Sequence, residues 1–389
     1  MRVITGLALL FAVGCANTDI ASMASAPDPA RRLQESLDRA VALRPGRSGV
    51  LLVDVPGELH FEGASGLSDP HTGRAARPDD RFRTASITKM VTAALVLKLA
   101  EEGRIDLDGN LLPYFPAELV DRLSVGLLFR ATDRTSRGRA ITVRHLLGHT
   151  SGLWDYYTVE QPPNPNDGVG DIIQEIIADP RRHWEPLELV ERAIRWRPPL
   201  TEPGQSYYYG DTNYVLAGLV VESVSGMPLP RVYRERVLSP LGMGDTYLQW
   251  YEPEAAGAPL AHVYMNVFAR EYEVAPFVDT ASWAGSGLVS SAGDLSRFGR
   301  ALFDGRFFDN PATWPEMHRW STQSRGAYGL GLMRVFPSGA ELWGHTGQWG
   351  SFLYYWPQRR AILCGTLNDS LADVDALLGE IVHIVEEER

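Results

Sequence analysis

The chain has 389 residues, of which 44% are apolar and 22% are charged, and its net charge is −11. These values are ordinary for a globular protein and exclude a disordered or fibrous chain, and the length fits one large domain or two interlocked ones. The acidic balance gives no basic surface of the kind that binds nucleic acid.

The N-terminus is predicted to be an export signal over residues 1–14. Arg2 precedes an apolar run, Val3 to Val13, which is too short to span a bilayer. The run leads into Ala12-Val13-Gly14-Cys15, a pattern that resembles a bacterial lipobox. Cys15 is therefore the candidate lipidation site, and residues 15–30 are expected to tether the protein to a membrane. The alternative is an ordinary signal peptide cut after Ala26, and both interpretations place the protein in the periplasm or cell envelope.

Beyond residue 30, hydrophobic periodicity predicts strands near both ends of the chain and helices between them. The predicted helices are 31–43, 86–102, 171–178, 187–196, 214–225 and 371–387. The predicted strands are 50–55, 58–64, 328–335, 341–345, 351–356 and 361–367. Residues 161–170, which are rich in Pro, Asn and Gly, are expected to form an exposed loop.

This order predicts an α/β fold with an α+β arrangement, in which an antiparallel sheet is flanked by helices beside a mostly helical region. We expect one domain over residues 31–385. Its sheet region comprises 31–104 and 276–385, and its mostly helical region comprises 105–275. Cys364 lies in an apolar run and is expected to be a buried strand residue without a disulfide partner if Cys15 is lipidated.

Ser86-Ile87-Thr88-Lys89 is the first candidate for chemistry. Residues three apart share a face of a helix, so the Lys89 amine is expected near the Ser86 hydroxyl. A serine is a weak nucleophile until a base takes its proton, and a buried lysine can serve as that base. Only two of the 37 basic residues are lysines, Lys89 and Lys98, and Lys98 lies about half a turn away. The alternatives are that Ser86 is only a helix N-cap and that the lysines are retained by codon drift.

Two further segments follow in order, Tyr209-Gly210-Asp211 and His345-Thr346-Gly347-Gln348. Together with Ser86-x-x-Lys89 they resemble the three motifs of the penicillin-recognising serine hydrolases. The resemblance is greatest to the branch that holds class C β-lactamases, D-alanyl-D-alanine carboxypeptidases and related esterases. Two flanking segments, 141–153 and 287–295, are also similar to that family, and the resemblance covers roughly residues 35–385.

The resemblance implies a β-lactamase/transpeptidase-like fold and an acyl-enzyme mechanism without a cofactor. It implies that Ser86 is the nucleophile, that Lys89 and Tyr209 exchange protons with it, and that His345 supports the proton network. The backbone N–H groups of Ser86 and Gln348 would form the oxyanion hole. A small-molecule or peptide substrate would contact Asp211, Thr346 and Gly347. Without the motif order, Tyr209 would read as one more aromatic residue in a Tyr-rich wall.

Two departures from the family pattern affect the expected activity. Asp211 stands where the family often has Asn, and an ionised carboxylate opposes a substrate carboxylate. This favours an esterase or a peptidase over a fast β-lactamase, unless Asp211 merely caps a helix that starts at Tyr214. His345 stands where lysine is common, so activity is expected to fall below about pH 6 as the imidazole titrates.

Competing interpretations have less support. His145 and His149 have helical metal-ligand spacing, but the Glu of the His-Glu-x-x-His motif is missing, so no metal is predicted. The chain has no Gly-x-Ser-x-Gly elbow, P-loop or dinucleotide fingerprint. We therefore predict a serine hydrolase acting on carboxylesters, β-lactams or D-amino-acid peptides. The alternative is a non-catalytic envelope module that binds peptidoglycan or a partner protein.

Overall fold

The computed structural model describes residues 28–115, 141–157, 172–194, 200–267, 270–274, 277 and 279–387. The predicted signal, Cys15, most of the tether and the loop at 161–170 lie outside the described residues. In the part that is described, no single helix has the length and apolar composition needed to cross a membrane. One pair, Asp211–Ser225 with Leu229–Leu238, meets that test only when joined across a 77° bend.

Seven antiparallel strands form the main sheet, in the order β3-β2-β1-β12-β11-β10-β9. The strands of the chain are β1 (Ser48–Val55), β2 (Leu59–Asp69), β3 (Arg74–Ala75), β4 (Phe82–Arg83), β5 (Tyr247–Leu248), β6 (Tyr264–Val267), β7 (Arg270–Glu273), β8 (Leu288–Ser290), β9 (Met333–Val335), β10 (Leu342–Gly347), β11 (Ser351–Trp356) and β12 (Ala361–Thr366). Val50 of β1 lies opposite Thr366 of β12, so the two ends of the chain share one sheet. This arrangement confirms the predicted fold class.

The central strands are buried along their whole length. Every residue of β11 and β12 is buried, including Cys364, because helices cover both faces of the sheet. The helices are α1 (Pro29–Ala42), α2 (Thr88–Glu101), α3 (Val143–Leu147), α4 (Ile172–Ala178), α5 (Pro186–Ile194), α6 (Asp211–Ser225), α7 (Leu229–Tyr233), α8 (Trp283–Ser286), α9 (Ala292–Phe303), α10 (Thr313–Met317) and α11 (Val374–Glu386).

Two apolar cores separate the layers of the molecule. α1 and α11 pack on one face of the sheet through residues such as Leu37 and Ile381. α9 packs on the other face, and behind it α2 is buried on nearly every side. Such a helix has no polar face, so it is held by its surroundings and forms a rigid support for the residues at its N-terminus.

Some element boundaries differ from those predicted. The predicted helix 86–102 begins with a 3-10 turn, Ala85–Ile87, and becomes α-helical at Thr88. Helix α6 starts at Asp211, three residues before the predicted start. The predicted strand 328–335 is extended only in β9. Three short strands, β5 to β7, fall inside the region predicted as mostly helical, and the division of the chain into two regions stays a prediction.

Candidate active site

Ser86 lies in the 3-10 turn Ala85–Ile87, directly before the buried helix α2. Ala85 has a φ of +45°, a conformation that residues with a side chain rarely adopt. Neighbouring strands hold this turn in place. The Thr84 N–H donates to the Leu288 carbonyl oxygen at 2.9 Å, which ties the start of the turn to β8. The Ser86 hydroxyl is thereby presented at a fixed position at the edge of the main sheet.

Lys89 is fully buried, with 0% of its surface exposed. Its Nζ lies 3.0 Å from Ser86 Oγ, 2.7 Å from Asp211 Oδ1 and 3.1 Å from the Gly285 carbonyl oxygen. An ammonium has three N–H donors, and these contacts use all of them. A neutral amine would donate to the two other oxygens and turn its lone pair toward Ser86. The spacing of the two residues predicted this contact, and the role of Lys89 as the base stays a prediction.

Asp211 is the charged partner of Lys89. It is the first residue of α6, and its carboxylate binds the lysine instead of capping a helix that starts at Tyr214. The capping alternative is therefore wrong. The Asp211 N–H donates to Asp155 Oδ1 at 3.0 Å, which fixes the start of α6 against a second carboxylate. The side chain of Asp211 is 12% exposed, so it still faces the space that a substrate would enter.

Tyr209 completes a hydrogen-bonded group around the Ser86 hydroxyl. Its side chain shares a hydrogen bond with Ser86, and Lys89 Nζ lies 4.9 Å from the centre of its ring. Burial raises the pKa of Tyr209 well above its usual value, and the charge of Asp211 acts in the same direction. Tyr209 therefore keeps its proton at neutral pH and is suited to protonate a leaving group.

His345 lies on β10 and has no contact with Ser86. Its Nδ1 is 2.6 Å from the Thr346 carbonyl oxygen, and its Nε2 is 3.1 Å from the Tyr328 hydroxyl. Because a carbonyl only accepts, Nδ1 carries the proton and Nε2 accepts from Tyr328. Burial lowers the pKa of His345 to about 3, and the charge of Lys89 acts in the same direction. The expectation that His345 titrates at about pH 6 and limits activity there is therefore wrong.

The end of β10 forms the wall beside the Ser86 turn. A Cβ on Gly347 would lie 2.2 Å from Ser351 Oγ and 2.4 Å from the Thr84 carbonyl oxygen, so only glycine fits. Gln348 follows and lines the space around Ser86. Thr346 Oγ1 is directed to Met333 Sδ at 3.7 Å. The oxyanion role of the Ser86 and Gln348 N–H groups and the substrate contacts of Thr346 and Gly347 stay predictions.

Two cavities meet at Ser86, Tyr209 and Gln348. One has a volume of about 430 Å³ and the other about 390 Å³. The larger one, called the first cavity below, combines an apolar wall with three carboxylates, those of Asp155, Asp211 and Asp279. Its apolar side chains are Ile173, Ile176, Met265, Val274, Phe277 and Trp349. Such a lining suits a substrate that has both an apolar part and a polar head.

The ionisable side chains that line this space are mainly carboxyl groups. Burial raises the pKa of Asp279, whose carboxylate accepts hydrogen bonds from Ser282 and, at 3.1 Å, from the Tyr157 hydroxyl. No arginine or lysine side chain lines either cavity in the described ranges, and Lys89 behind Ser86 is already paired. A substrate carboxylate would therefore meet carboxylates without a basic anchor among these residues.

Several residues at this site could not be predicted from the sequence. Tyr328, which holds His345, falls in a segment predicted as a strand. Asp155 and Asp279 lie in loops whose patterns give no sign of a shared cavity. Gly285 contributes only its carbonyl oxygen to Lys89. These contacts depend on the tertiary path of the chain.

His145 and His149 direct their ring nitrogens to different groups. His145 Nδ1 accepts from the Thr142 N–H at 3.3 Å, and His149 Nδ1 accepts from the Gly210 N–H at 3.2 Å. The His149 ring packs against Tyr209, with 4.3 Å between the ring centres, and burial lowers its pKa well below its usual value. His149 thus supports the segment that carries Tyr209.

Comparison with known proteins gives a consistent set of relatives. The Beta-lactamase family profile matches residues 36–382. The chain is 32% identical to Esterase EstB of Burkholderia gladioli over 232 residues, which are 59% of this chain and 54% of that protein. The chain spans about half the length of the curated relatives that it matches.

Solved structures match over nearly the whole chain. A D-stereospecific amidohydrolase from Streptomyces sp. superposes with a TM-score of 0.71 at 30% identity, covering 90% of this chain and 98% of that one. The D-amino acid amidase of Ochrobactrum anthropi SV3 superposes with a TM-score of 0.74 at 24% identity, covering 93% of this chain and 100% of that one. The second likeness shows a common fold.

Proposed function

Because the chain belongs to the Beta-lactamase family, we propose that it is a serine hydrolase that cleaves esters or amides through an acyl-enzyme on Ser86. The observation that carries this proposal is the position of the Lys89 amine, 3.0 Å from Ser86 Oγ and shielded from solvent. A nucleophile, a base and an acid within hydrogen-bonding reach are the parts that acyl transfer needs.

In the first half of the reaction, Ser86 Oγ attacks the substrate carbonyl carbon while Lys89 takes its proton. The backbone N–H groups of Ser86 and Gln348 stabilise the oxyanion that forms. Tyr209 then protonates the leaving alcohol or amine. The proton that Ser86 gives up thus departs with the leaving group by way of Lys89 and Tyr209.

In the second half, a water molecule attacks the acyl carbon from the side that the leaving group vacated. The same residues act in reverse, so a proton from water returns to Ser86 and the carboxylic acid is released. Asp211 holds Lys89 in place for both steps through the contact of its Oδ1 with Nζ at 2.7 Å.

We infer that the acyl part of the substrate carries an amine and an apolar side chain. Asp155, Asp211 and Asp279 line the first cavity, and no described arginine or lysine side chain lines it, so an incoming ammonium would find carboxylate partners there. The apolar wall of the same cavity would take the side chain. The name of the Streptomyces relative, a D-stereospecific amidohydrolase, supports amides or esters of D-amino acids.

The acyl-enzyme is tested by labelling the folded protein with a fluorophosphonate and locating the adduct by mass spectrometry. We expect one adduct, on Ser86, which is lost in Ser86→Ala and kept in the matched control Ser223→Ala, an exposed position of α6. A folded wild type that takes up no label would contradict the proposal and favour the non-catalytic binding module.

The substrate class is tested with a panel of chromogenic compounds. D-Phenylalanine p-nitroanilide should be cleaved about tenfold or more faster than its N-acetyl derivative, because acetylation removes the ammonium, and tenfold corresponds to about 1.4 kcal/mol. The L-isomer, a simple p-nitrophenyl ester and a chromogenic cephalosporin complete the panel. Faster cleavage of the acetylated compound would contradict the amine, and fast, Ser86-dependent cephalosporin turnover would identify a β-lactamase.

We also propose that the protein is exported and anchored in the cell envelope through lipidated Cys15. The positive start at Arg2, the apolar run that follows and the lipobox-like residues before Cys15 support this proposal. Growth with an alkyne-tagged fatty acid should label the wild type and the Cys364→Ala control, but not Cys15→Ala. An unlabelled protein whose mature form starts at Pro27 would instead support the ordinary signal peptide.

A further inference from the structure

Three side chains that can bind a metal ion meet at the surface, away from Ser86. His71 lies in the turn between β2 and β3, His262 precedes β6, and Glu273 ends β7. His71 Nε2 is 2.9 Å from Glu273 Oε2, and His262 Nδ1 contacts the other oxygen, Oε1. The three ligand atoms lie within 4.8 Å of one another. Residues far apart in sequence thus place two imidazoles around one carboxylate.

The spacing of this cluster is close to that of a zinc site. Zinc bonds to histidine nitrogen at about 2.0–2.1 Å, so tetrahedral ligand atoms lie about 3.3 Å apart. Small side-chain rotations would bring all three atoms to that spacing. Two imidazoles and one carboxylate suit Zn²⁺ and its neighbours in the transition series better than Mg²⁺ or Ca²⁺. The His71 side chain is 66% exposed, so the cluster is open to an entering ion and to a water as fourth ligand.

Asp69 provides a second observation that points to a metal. The other ring nitrogen of His262, Nε2, faces Asp69 Oδ1 at 3.8 Å. Asp69 is itself held by the Thr72 hydroxyl at 2.7 Å and by the His71 N–H at 2.9 Å. A metal-binding histidine usually presents its second ring nitrogen to a carboxylate, which fixes the tautomer and the orientation of the ring. His262 turns Nδ1 toward the cluster and Nε2 toward Asp69, and a small rotation of either side chain would bring Nε2 within hydrogen-bonding distance of that carboxylate.

The cluster joins the β6–β7 hairpin, which borders the first cavity, to the β2–β3 turn. The hairpin of β6 and β7 carries Met265 and Asn266, and Val274 directly follows it, and all three line that cavity. On one side the hairpin is tied to the chain near β12, where the Tyr264 N–H donates to the Asn368 carbonyl oxygen at 3.2 Å. The cluster ties its other side to the β2–β3 turn.

We propose that His71, His262 and Glu273 bind one Zn²⁺ ion, which fixes the β6–β7 hairpin to the β2–β3 turn and so holds one wall of the catalytic cavity in place. The ion takes no part in the steps at Ser86. Its effect is on the rigidity of the wall, because a cation that binds only the folded arrangement stabilises that arrangement.

The test is a calorimetric titration of the full chain with Zn²⁺ after treatment with a chelator, with Co²⁺ as a spectroscopic probe. We expect one Zn²⁺ per chain, and a visible Co²⁺ absorption that Zn²⁺ displaces. About a hundredfold excess of Zn²⁺ over its dissociation constant should raise the Tm by about 3–5 °C. Amide exchange over residues 264–274 should slow in the same samples.

Three variants separate a metal site from a hydrogen-bonded surface cluster. His71→Ala changes an exposed residue and should abolish binding without unfolding the protein. Glu273→Gln keeps the shape and the hydrogen-bonding capacity of the side chain but weakens a metal ligand, so it should lower Zn²⁺ affinity at least about tenfold. His60→Ala is the matched control, since His60 is also exposed between two carboxylates, Asp54 and Glu62.

The proposal is overturned if the wild type shows no stoichiometric uptake of Zn²⁺. It is also overturned if His71→Ala and Glu273→Gln bind Zn²⁺ as tightly as the wild type and His60→Ala do. In either case the cluster is only a set of hydrogen bonds. Labelling of Ser86 by a fluorophosphonate, measured in the same preparations, reports separately on the hydrolase.

Discussion

The pairing of Lys89 with Asp211 sets the charge that a substrate meets at Ser86. An isolated ammonium at this depth would carry a large desolvation cost, and the carboxylate at 2.7 Å offsets it. The Asp211 side chain also keeps a small exposed edge in the first cavity. In the proposed mechanism, Asp211 therefore acts both on the base and on the choice of substrate.

Asp211→Asn should change the order of preferred substrates. Asn keeps an oxygen for Lys89 and adds a donor, but it removes the charge that repels a substrate carboxylate. We expect acylation by a carboxylate-bearing β-lactam to rise about tenfold relative to hydrolysis of a D-amino-acid anilide, a change of about 1.4 kcal/mol. The rates of both reactions are compared in the variant and in the wild type.

The control for this change is Asp309→Asn, which removes a carboxylate partner from the other lysine, Lys98, at the surface. It should leave the ratio of the two rates unaltered. If Asp211→Asn lowers the rate of the β-lactam reaction as much as it lowers the rate of anilide hydrolysis, the charge of Asp211 serves only to hold Lys89.

His345 links folding to pH because its pKa is about 3 in the folded protein and its ordinary value is 6.5. Between these values the unfolded chain binds the additional proton, so stability falls as the pH drops from 6.5 toward 3. His149, also buried with a lowered pKa, contributes in the same direction. Above the ordinary histidine pKa, both residues are neutral in the folded and the unfolded states, so neither changes the stability there.

His345→Asn should therefore reduce the loss of stability in acid. One titrating group of this kind contributes up to about 1.4 kcal/mol per pH unit, and Asn has no proton to gain. The free energy of unfolding is measured by denaturant titration at several values between about pH 4 and pH 7. His383→Asn, at an exposed site, should keep the slope of the wild type, and an unchanged slope in His345→Asn would contradict the expectation.

At the scale of elements, the active site depends on close contact between β10 and the turn that carries Ser86. Gly347 permits this contact, because a side chain there would meet Ser351 and the Thr84 carbonyl oxygen. The strand and the turn would have to separate to make room. The predicted oxyanion donors would then move apart, because Gln348 follows Gly347 and Ser86 follows the turn's first residue, Ala85.

Gly347→Ala should destabilise the protein by about 1–3 kcal/mol and slow labelling of Ser86 at least about tenfold. Gly293→Ala is the matched control, since a Cβ there would have its nearest neighbour at 3.8 Å and the residue lies within α9. Labelling rates and denaturant midpoints of the two variants are compared with the wild type. Equal labelling in all three proteins would show that the close contact is unimportant for the nucleophile.

At the scale of the whole molecule, the sequence was informative wherever one local pattern decided the structure. Hydrophobic runs predicted β1, β11 and β12, whose residues are nearly all buried, and the Pro56-Gly57 turn predicted the hairpin of β1 and β2. The spacing of Ser86 and Lys89 predicted their contact, since residues three apart share a face of a helix.

Other features depend on residues that the sequence does not place together. The pairing of Asp211 with Lys89 joins the start of α6 to α2, and it rules out the alternative in which Asp211 only caps a helix that starts at Tyr214. The low pKa of His345 results from burial, which a motif does not reveal. The cluster of His71, His262 and Glu273 comes from two loops and a strand end, so no motif spacing could indicate it.

A chain shortened to end at residue 350 tests whether the active site can fold without the last strands of the main sheet. It keeps Ser86, Lys89, Tyr209 and His345 but lacks β11 and β12. We expect it to be insoluble and unlabelled, because β1 and β10 would expose unpaired edges and the apolar cores would lose a wall. Solubility and fluorophosphonate labelling are compared with the full chain, and a soluble, labelled product would show that the helical region and the turn suffice.

The sheet order also bears on when the enzyme becomes reactive during its synthesis. The segment with Ser86 leaves the ribosome early, but β10 and β11, which position its turn, are made much later. β12, which joins β1 to β11, follows only after them. An emerging chain therefore contains the nucleophile long before it contains the activated site. We expect labelling of Ser86 only once β10 to β12 have been made and have joined β1.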